Sequence, residues 1–259
     1  PGTNVIGLGT LNITANQSGF TGAFNVYRGT VNVGGSGVTL GSSGAVTVYG
    51  NGVLNVSDVA GTATSRLVNR ALTLQGGTFA YVGNSANSAE TNSSALTFAR
   101  SGGIFSSTQT GSGTVSLTFA SLSLSTDVSA GFTGTNLGTA TNKILFTTAP
   151  TLVPATTGIL ARATVNGSSF ATYNGTTGVT AFSAYNATST TNLNLAGATD
   201  TVDANAAMTT KGLTASKTVN AVRFSGATAQ TVDGSAFTTL TLTSGGLLAT
   251  GAATHALSA

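Results

Sequence analysis

The chain has no cysteine and no tryptophan, and only three prolines in 259 residues. The absence of cysteine excludes disulfide bonds, thiolate metal sites and a cysteine nucleophile. No run of about 18 apolar residues, the length of a membrane-spanning helix, occurs in the sequence. Membrane insertion of this segment is therefore not expected.

Charge is equally scarce. Charged residues make up 6% of the chain, against roughly 25% in a typical globular domain. The net charge of +3 comes from nine cations and six acids. The cations are scattered along the sequence: Arg28, Arg66, Arg70, Arg100, Lys143, Arg162, Lys211, Lys217 and Arg223. Because nucleic-acid binding needs a basic stripe or patch, no nucleic-acid partner is predicted.

Glycine, serine, threonine, asparagine and apolar residues fill the remaining positions. The hydrophobic content of 40% argues against disorder, and the 35 glycines lack the strict period of three that collagen requires. Small polar residues, β-formers and frequent turns are together typical of many short strands joined by tight corners. The predicted fold class is all-β.

A short glycine-led unit recurs near the start of the sequence, and each copy alternates apolar and polar residues as a half-buried strand does. The copies are GTLNI (9–13), GAFNV (22–26), GTVNV (29–33), GVTL (37–40), GAVTV (44–48) and GVLNV (52–56). Their first glycines are separated by 13, 7, 8, 7 and 8 residues, whereas helical repeats need about 33–47. The spacing predicts a β-solenoid in which each strand occupies one face of a coil and glycine turns the corner.

Asparagine occupies the centre of four of these strands, at Asn12, Asn25, Asn32 and Asn55. Such side chains either face solvent or pair in stacked amide ladders at turns. For strand centres the solvent face is the prediction.

The pattern is less regular after residue 57. Residues 58–70 and the polar stretch 83–94 have the composition of loops or turns. The longest alternating run, 115–125, changes phase at Ala120-Ser121, which predicts a bulge or a corner. Pro150 and Pro154 mark a further excursion or corner, because proline cannot donate a hydrogen bond to a central ladder.

We predict a single continuous domain over residues 1–259, with a clear repeat motif in 1–56 and more irregular coils in 57–259. The sequence opens without methionine and ends in mid-pattern, which predicts a segment of a longer chain.

Residues 9–56 resemble the autotransporter-associated β-strand repeat, also called the passenger-associated transport repeat, whose pattern reads G-T-L-x-L-x-G-x-N-x-Y-x-G-x-T-x-V-x-x-G-T-L-x-V. The matching positions are Gly9, Thr10, Leu11, Ile13, Asn16, Phe20, Gly22, Val26, Gly29, Thr30, Val31 and Val33. Ala15 and Arg28 depart from the pattern without changing the strand phase.

The resemblance implies a right-handed parallel β-helix from a large bacterial surface or secreted protein. Members of the family are similar to autotransporter passengers, which are exported and displayed beyond the outer membrane. The expected location is therefore extracellular, at the bacterial cell surface. The repeat is linked to transport and folding outside the cell rather than to a reaction.

Polysaccharide lyases and glycosidases also use parallel β-helices, and their chemistry needs two or three carboxylates that converge in a groove. Only Asp200 and Asp203 are near neighbours among the acids; at strand spacing they point to opposite faces, and both are expected to be solvated at a corner. His255 is the only histidine and has no serine–acid partners. The glycines of 34–44 are followed by neither a phosphate-loop G-K-[ST] nor the aspartate of a calcium-binding repeat.

No catalytic, cofactor-binding or metal-binding residue is predicted, and the chain is not predicted to be an enzyme. The expected function is that of a structural or adhesive segment of a bacterial surface protein, forming a long rod or filament by end-to-end continuation of coils. Its expected partners are copies of itself or adjacent segments of the same chain, together with cell-surface or extracellular-matrix glycans. The alternative is a carbohydrate-binding or carbohydrate-active β-helix, such as a surface enzyme or a phage-type fibre.

Overall fold

The computed structural model describes residues 2–41, 43–58, 65–187, 191–205, 212–234, 239–251 and 253–258. These residues contain 23 strands and no α-helix, and Leu193–Leu195 forms one turn of 3-10 helix. Most strands pair in parallel with strands roughly one coil away in sequence. The chain is a parallel β-solenoid, which confirms the predicted fold class.

Within the described part of the chain, no helix is long and apolar enough to cross a membrane.

The chain divides into two compact units. Unit 1 comprises Pro1–Pro150 and Tyr173–Thr180, and unit 2 comprises Thr151–Thr172 and Ala181–Ala259. The first division follows Pro150, one of the two prolines predicted to mark an excursion.

Unit 1 is built from six stacked coils, each of which contributes one strand to each of two parallel sheets. The first sheet contains, in order, β1 (Thr3–Val5), β3 (Phe24–Val26), β5 (Val46–Tyr49), β7 (Leu72–Gln75), β10 (Leu96–Phe98) and β13 (Leu122–Leu124). Across these six coils, the second sheet, which has nine strands in all, contains, in order, β2 (Thr10–Ile13), β4 (Gly29–Gly34), β6 (Gly52–Ser57), β8 (Thr78–Val82), β11 (Gly103–Thr108) and β14 (Ala130–Thr133).

A third face of unit 1 carries strands in the last three coils. Among the described residues, these strands are β9 (Asn87–Asn92), β12 (Thr114–Phe119) and β15 (Asn142–Phe146). We number the coils from the N-terminal side: coil 1 contains β1 and β2, coil 2 contains β3 and β4, coil 3 contains β5 and β6, and coils 4 to 6 each contain three consecutive strands from β7 onward.

The strand register gives the length of a coil. Aligned residues are 21 positions apart between β1 and β3, where Thr3 lies beside Phe24, and 26 apart between β5 and β7, where Val46 lies beside Leu72. The predicted spacing of 7 to 8 residues between glycine-led units therefore corresponds to one of three faces. GVTL (37–40) lies on the third face of coil 2 and is not a strand, but its Val38 and Leu40 are buried.

Inward-facing side chains form columns that run from coil to coil. One column follows the second sheet through Leu11, Val31, Leu54, Phe79, Phe105 and Phe132. Every member from Val31 onward is at most 1% exposed, whereas Leu11 is 41% exposed. The Phe79 and Phe105 ring centroids lie 4.8 Å apart. Burial of such columns is the main source of stability in a solenoid.

Gly29 illustrates why glycine begins a strand unit. Its φ is +72°, in the left-handed region that favours glycine. A Cβ at this position would lie 2.4 Å from the carbonyl oxygens of Gly7 and Gly9 in the preceding coil. The corner therefore requires glycine for both its backbone angle and its close approach.

The prediction of a turn over residues 83–94 is wrong, because this stretch contains β9. Its Ser88, Glu90 and Asn92 point inward and are 1–2% exposed. Polar residues occupy inward positions because other buried groups satisfy their hydrogen bonds. By contrast, the predicted phase change at 120–121 is confirmed as a corner, since β12 ends at Phe119 and β13 begins at Leu122.

The remaining strands are β16 (Ala163–Val165), β17 (Ser169–Asn174), β18 (Gly178–Ala181), β19 (Thr201–Ala204), β20 (Lys217–Phe224), β21 (Thr231–Asp233), β22 (Leu240–Ala249) and β23 (Ala256–Ser258). In unit 2, β19, β20 and β22 form a parallel sheet, and β21 pairs in parallel with β23. Their shared core includes Val202, Val219, Val222, Phe224 and Val232. Unit 2 thus repeats the coil principle, and its β20 and β22, with 8 and 10 residues, are longer than any strand of the six coils.

Candidate functional site

The core of unit 1 is open at the N-terminal edge of coil 1. Strands β1 and β2 pair with β3 and β4 on one side, and no strand of the described residues pairs with their other side. Strands expose unpaired backbone N–H and C=O groups along such an edge. Leu11 is exposed there, although its neighbour in register, Val31, is fully buried.

A groove of about 350 Å³ lies at this edge. Most of its lining is apolar, and it comes from both coil 1 and the face of coil 2 beneath it. The apolar side chains that line it are Leu11, Ile13, Ala15, Phe20, Phe24 and Leu40. In the next coil the positions aligned with Leu11 and Ile13 are Val31 and Val33, which are fully covered. The groove therefore has the form of a core that lacks one covering layer.

Asparagine ladders run along the outside of the first coils. Asn32 Nδ2 donates to Asn12 Oδ1 at 2.8 Å, and Asn55 Nδ2 donates to Asn32 Oδ1 at 2.9 Å. On the neighbouring sheet, Asn25 Nδ2 donates to Asn4 Oδ1 at 2.8 Å. These side chains face outward, as predicted for strand centres, and they also form the amide ladders that were the alternative.

A buried charge cluster lies on the third face of coils 2 to 4. The Arg66 Nη2 atom is 3.0 Å from Asp58 Oδ1, and both side chains are at most 3% exposed. Arg66 Nη1 donates to the carbonyl oxygens of Gly35 and Val38, each at 2.9 Å. Arg66 therefore joins the third face of coil 3 to that of coil 2.

Glu90, on β9 in coil 4, attaches to the same turn from the opposite side. Its carboxylate accepts the backbone N–H groups of Arg66 at 2.7 Å and Leu67 at 2.9 Å. Burial raises the pKa of Glu90 above its ordinary value, although these hydrogen bonds and the Arg66 charge oppose the shift. Burial together with the nearby Asp58 and Glu90 carboxylates also raises the pKa of Tyr81.

Arg70 is a second buried cation, 1% exposed, that reaches back across two coil layers. Its guanidinium donates to the carbonyl oxygens of Phe20 and Gly22 at 2.7 Å each, of Gly41 at 3.1 Å and of Gly44 at 3.3 Å. It also lies 5.0 Å from the centroid of the Phe20 ring. Removal from water lowers the pKa of Arg70, and the carbonyl dipoles around the guanidinium replace its hydration.

The arrangement of these charges supports a structural role. Asp58 and Glu90 contact the same residue, Arg66, but each is at most 2% exposed, and neither lines the groove at the edge of coil 1. Carboxylates that hydrolyse a glycoside must reach a bound sugar. Sequence reasoning missed this cluster because Glu90 was assigned to a turn; the available signal was its separation of 24 residues from Arg66, about one coil.

Glu90 should make the free energy of unfolding depend on pH. Because its pKa in the folded chain is raised, the folded state binds more protons than the unfolded state between the unfolded pKa, about 4.3, and the folded value. We expect the free energy of unfolding to fall as the pH rises through this interval. Chemical denaturation from about pH 4 to about pH 8 should show that decline in the wild type and a flatter profile in Glu90→Gln. Asp58, Arg66 and Tyr81 are retained in both proteins, so identical profiles would contradict the assignment to Glu90.

Asp200 and Asp203, the only acids close in sequence, have different partners in unit 2. Asp203 forms an ion pair with Arg223 and accepts a hydrogen bond from Ser225 Oγ at 2.6 Å. Asp200 accepts hydrogen bonds from Asn186 Nδ2 and from the Gly197 backbone N–H, each at 2.7 Å. The prediction of a solvated corner is wrong for Asp203, which is 4% exposed, because it lies on β19 beside Arg223.

His255 packs against other residues of unit 2, and its contacts are with Gln230 and Phe224. Its Nδ1 accepts a hydrogen bond from the Gln230 backbone N–H at 3.2 Å, and its ring stacks on Phe224 at 5.2 Å between centroids. Among the residues that the structure describes, no three histidine, aspartate or glutamate side chains are grouped to hold a metal ion.

The tyrosines pack mainly against other side chains. Tyr27 and Tyr49 are stacked, with centroids 4.2 Å apart, and Tyr81 is fully buried. Tyr173 Oη bonds to the backbone of Phe146, and the Arg223 guanidinium lies 4.1 Å above the Tyr185 ring. Ring stacking and packing therefore account for these tyrosines, and Tyr27, 37% exposed, is the most open of their rings.

No protein-family model, curated protein or solved structure matches the chain.

Proposed function

We propose that the chain is a structural and adhesive segment of an extracellular bacterial surface protein, and that it forms a long rod or filament by end-to-end continuation of its coils. The observation that carries this proposal is the open edge of coil 1. Leu11 is 41% exposed there, whereas Val31 and Leu54, its successors in the same column, are fully buried. A further coil on this edge would complete the column.

The contacts between coils 1 and 2 indicate how a further coil would bind to the open edge of coil 1. Strand β2 pairs with β4 over four residues in parallel register, and β1 pairs with β3 over three. Each contact satisfies backbone groups and buries apolar side chains at once, which is how solenoid repeats stabilise one another. A copy of the chain or an adjacent segment of a longer chain is the partner that repeats this geometry.

The outward surfaces support the adhesive and extracellular parts of the proposal. Polar side chains such as Asn12, Asn32 and Asn55 alternate outward along the second sheet, which offers a regular hydrogen-bonding surface for glycans or other cell-surface partners. The lack of cysteine suits a chain exported in an unfolded state, and the resemblance of residues 9–56 to a passenger-associated repeat favours display at a bacterial cell surface.

Assembly through the open edge should be abolished by placing a charge in the exposed column. We expect the wild-type chain to form concentration-dependent, solenoid-width rods in sedimentation velocity experiments and electron micrographs. Leu11→Lys should remain monomeric at the same concentrations, because a lysine facing an apolar coil must be desolvated. The matched control is Thr10→Lys, which carries the same charge on the outward side of β2 and should still assemble.

Two results would contradict this function. The first is a wild-type chain that stays monodisperse and monomeric at every concentration. The second is equal assembly by wild type, Leu11→Lys and Thr10→Lys, which would mean that association occurs through another surface. Circular dichroism of all three proteins checks that the substitutions leave the β-structure intact.

A further inference from the structure

We infer that the open edge of coil 1 recognises its partner through the direction of its asparagine ladders. The geometry points to one partner, a β-coil that stacks in parallel on coil 1. One of its strands covers β1, another covers β2, and each carries an apolar-Asn-apolar triplet. This inference rests on the proposed end-to-end continuation and specifies which coils are able to continue it.

The ladders have a fixed polarity. In each of their three links, the Nδ2 of the later asparagine donates to the Oδ1 of the asparagine one coil earlier. Asn12 therefore uses its Oδ1 to accept from Asn32, and Asn4 uses its Oδ1 to accept from Asn25. The Nδ2 of Asn12 and that of Asn4 have no partner among the described residues, and they point away from coil 2.

The open edge consequently presents two kinds of complementarity side by side. Unpaired backbone groups and the exposed Leu11 side chain accept any apolar β-strand, as sheet edges commonly do. The two amide donors add a requirement, because each needs an acceptor at the centre of the covering strand. A carboxamide oxygen at that position continues the ladder, while the other half of the amide donates to the next coil.

The contact between coils 1 and 2 supplies the template for the covering coil. Leu11, Asn12 and Ile13 of β2 align with Val31, Asn32 and Val33 of β4, and the centre of β1 aligns with Asn25 of β3. The residues of coil 2 that fit this pattern are Phe24-Asn25-Val26 and Val31-Asn32-Val33, joined by the Gly29 corner. A coil with these two triplets places both carboxamide oxygens over the donors and both apolar pairs over the groove.

An antiparallel strand would not meet the same requirement. Parallel stacking keeps equivalent residues aligned in every coil, so both triplets fall in register together. An antiparallel pair alternates between closely and widely spaced backbone hydrogen bonds, so its facing side chains do not repeat the even stacking that the Asn12–Asn32 and Asn4–Asn25 links use. The recognition is therefore selective for orientation as well as for sequence.

The test uses a fluorescent peptide of residues 22–34, GAFNVYRGTVNVG, as the probe and fluorescence anisotropy on the full chain as the readout. We expect Asn12→Asp to weaken peptide binding about tenfold. The carboxylate still accepts from Asn32 but has no proton to donate, and it faces a carboxamide oxygen. Asn4→Asp combined with Asn12→Asp should weaken binding further. A peptide that carries Asn25→Leu and Asn32→Leu should bind the wild-type chain about as weakly as the unchanged peptide binds the Asn4→Asp, Asn12→Asp double variant.

Asn55→Asp is the matched control, because it breaks the link from Asn55 to Asn32 within the solenoid and leaves the open edge unchanged. It should bind the peptide as the wild type does, while Asn12→Asp should keep the wild-type denaturation midpoint. Equal weakening by Asn12→Asp and Asn55→Asp, or equal binding of the wild-type and leucine peptides, would overturn the inference. If the wild-type chain forms rods but binds no peptide, the inference fails and the proposed function stands; if it neither assembles nor binds the peptide, both fail.

Discussion

Replacing Arg70 with methionine should lower the free energy of unfolding by about 3–5 kcal/mol. The guanidinium donates to four carbonyl oxygens at the corners of earlier coils. Methionine retains most of the volume of arginine but donates no hydrogen bonds, so these buried and part-buried acceptors lose their partner. Urea denaturation followed by circular dichroism measures the change.

Arg28→Met is the matched control for this prediction. Arg28 is exposed, so its substitution should change the free energy of unfolding by less than about 0.5 kcal/mol. A similar small change in both variants would mean that water replaces the Arg70 hydrogen bonds and that the guanidinium does not hold the coils together.

Neutralising Asp58 should be almost as damaging, with an expected loss of about 3 kcal/mol for Asp58→Asn. The substitution keeps the shape of the side chain but leaves the Arg66 guanidinium buried without its counter-charge. It also places an amide where Ser88 Oγ donates at 2.7 Å and Asn84 Nδ2 donates at 3.1 Å. Chemical denaturation at neutral pH measures the loss.

Asp127→Asn removes the same charge from an exposed position and should have little effect. A double-mutant cycle with Arg66→Met isolates the ion pair from the other contacts of both residues. We expect the effects of Asp58→Asn and Arg66→Met to be non-additive by at least about 1 kcal/mol. Additive effects would contradict a direct coupling between the two side chains.

The early repeat was predictable because its alternation is encoded locally. Each unit such as GTVNV places valines on one face and an asparagine between them, so the strand and its buried side can be assigned without knowing its neighbours. The corner glycines follow from the same reasoning, and Gly29 has the positive φ and the close backbone approach that such a corner requires. The solenoid follows because strands this short need stacked copies to bury their apolar faces.

β9 was missed for the opposite reason. Its inward residues, Ser88, Glu90 and Asn92, are polar, so the alternation carries no hydrophobic signal. They are stable inside only because Asp58 accepts from Ser88, and because Arg70 and the Arg66 turn supply partners for Asn92 and Glu90. Those partners lie 22 to 30 residues away, and local sequence patterns do not reveal them.

The candidate site was predicted in part. The expectation that coils continue end to end rested on repetition, and the groove beside Leu11 is the structural feature that supports it. The ladder polarity was not predictable, because it depends on how each carboxamide is rotated relative to the one beneath it. The six residues 59–64 of the predicted loop 58–70 lie outside the described residues.

The reach of Arg70 has a mechanical consequence for unit 1. In stacked parallel coils the backbone hydrogen bonds run along the stacking direction, so a force pulling the coils apart loads these bonds one coil at a time. The Arg70 side chain spans two coil boundaries, since it bonds both to Phe20 and Gly22 and to Gly41 and Gly44. Coils 1 to 3 are therefore connected by the hydrogen bonds of the Arg70 side chain as well as by those of their backbones. We therefore expect coils 1 to 3 to separate together under tension, as one block.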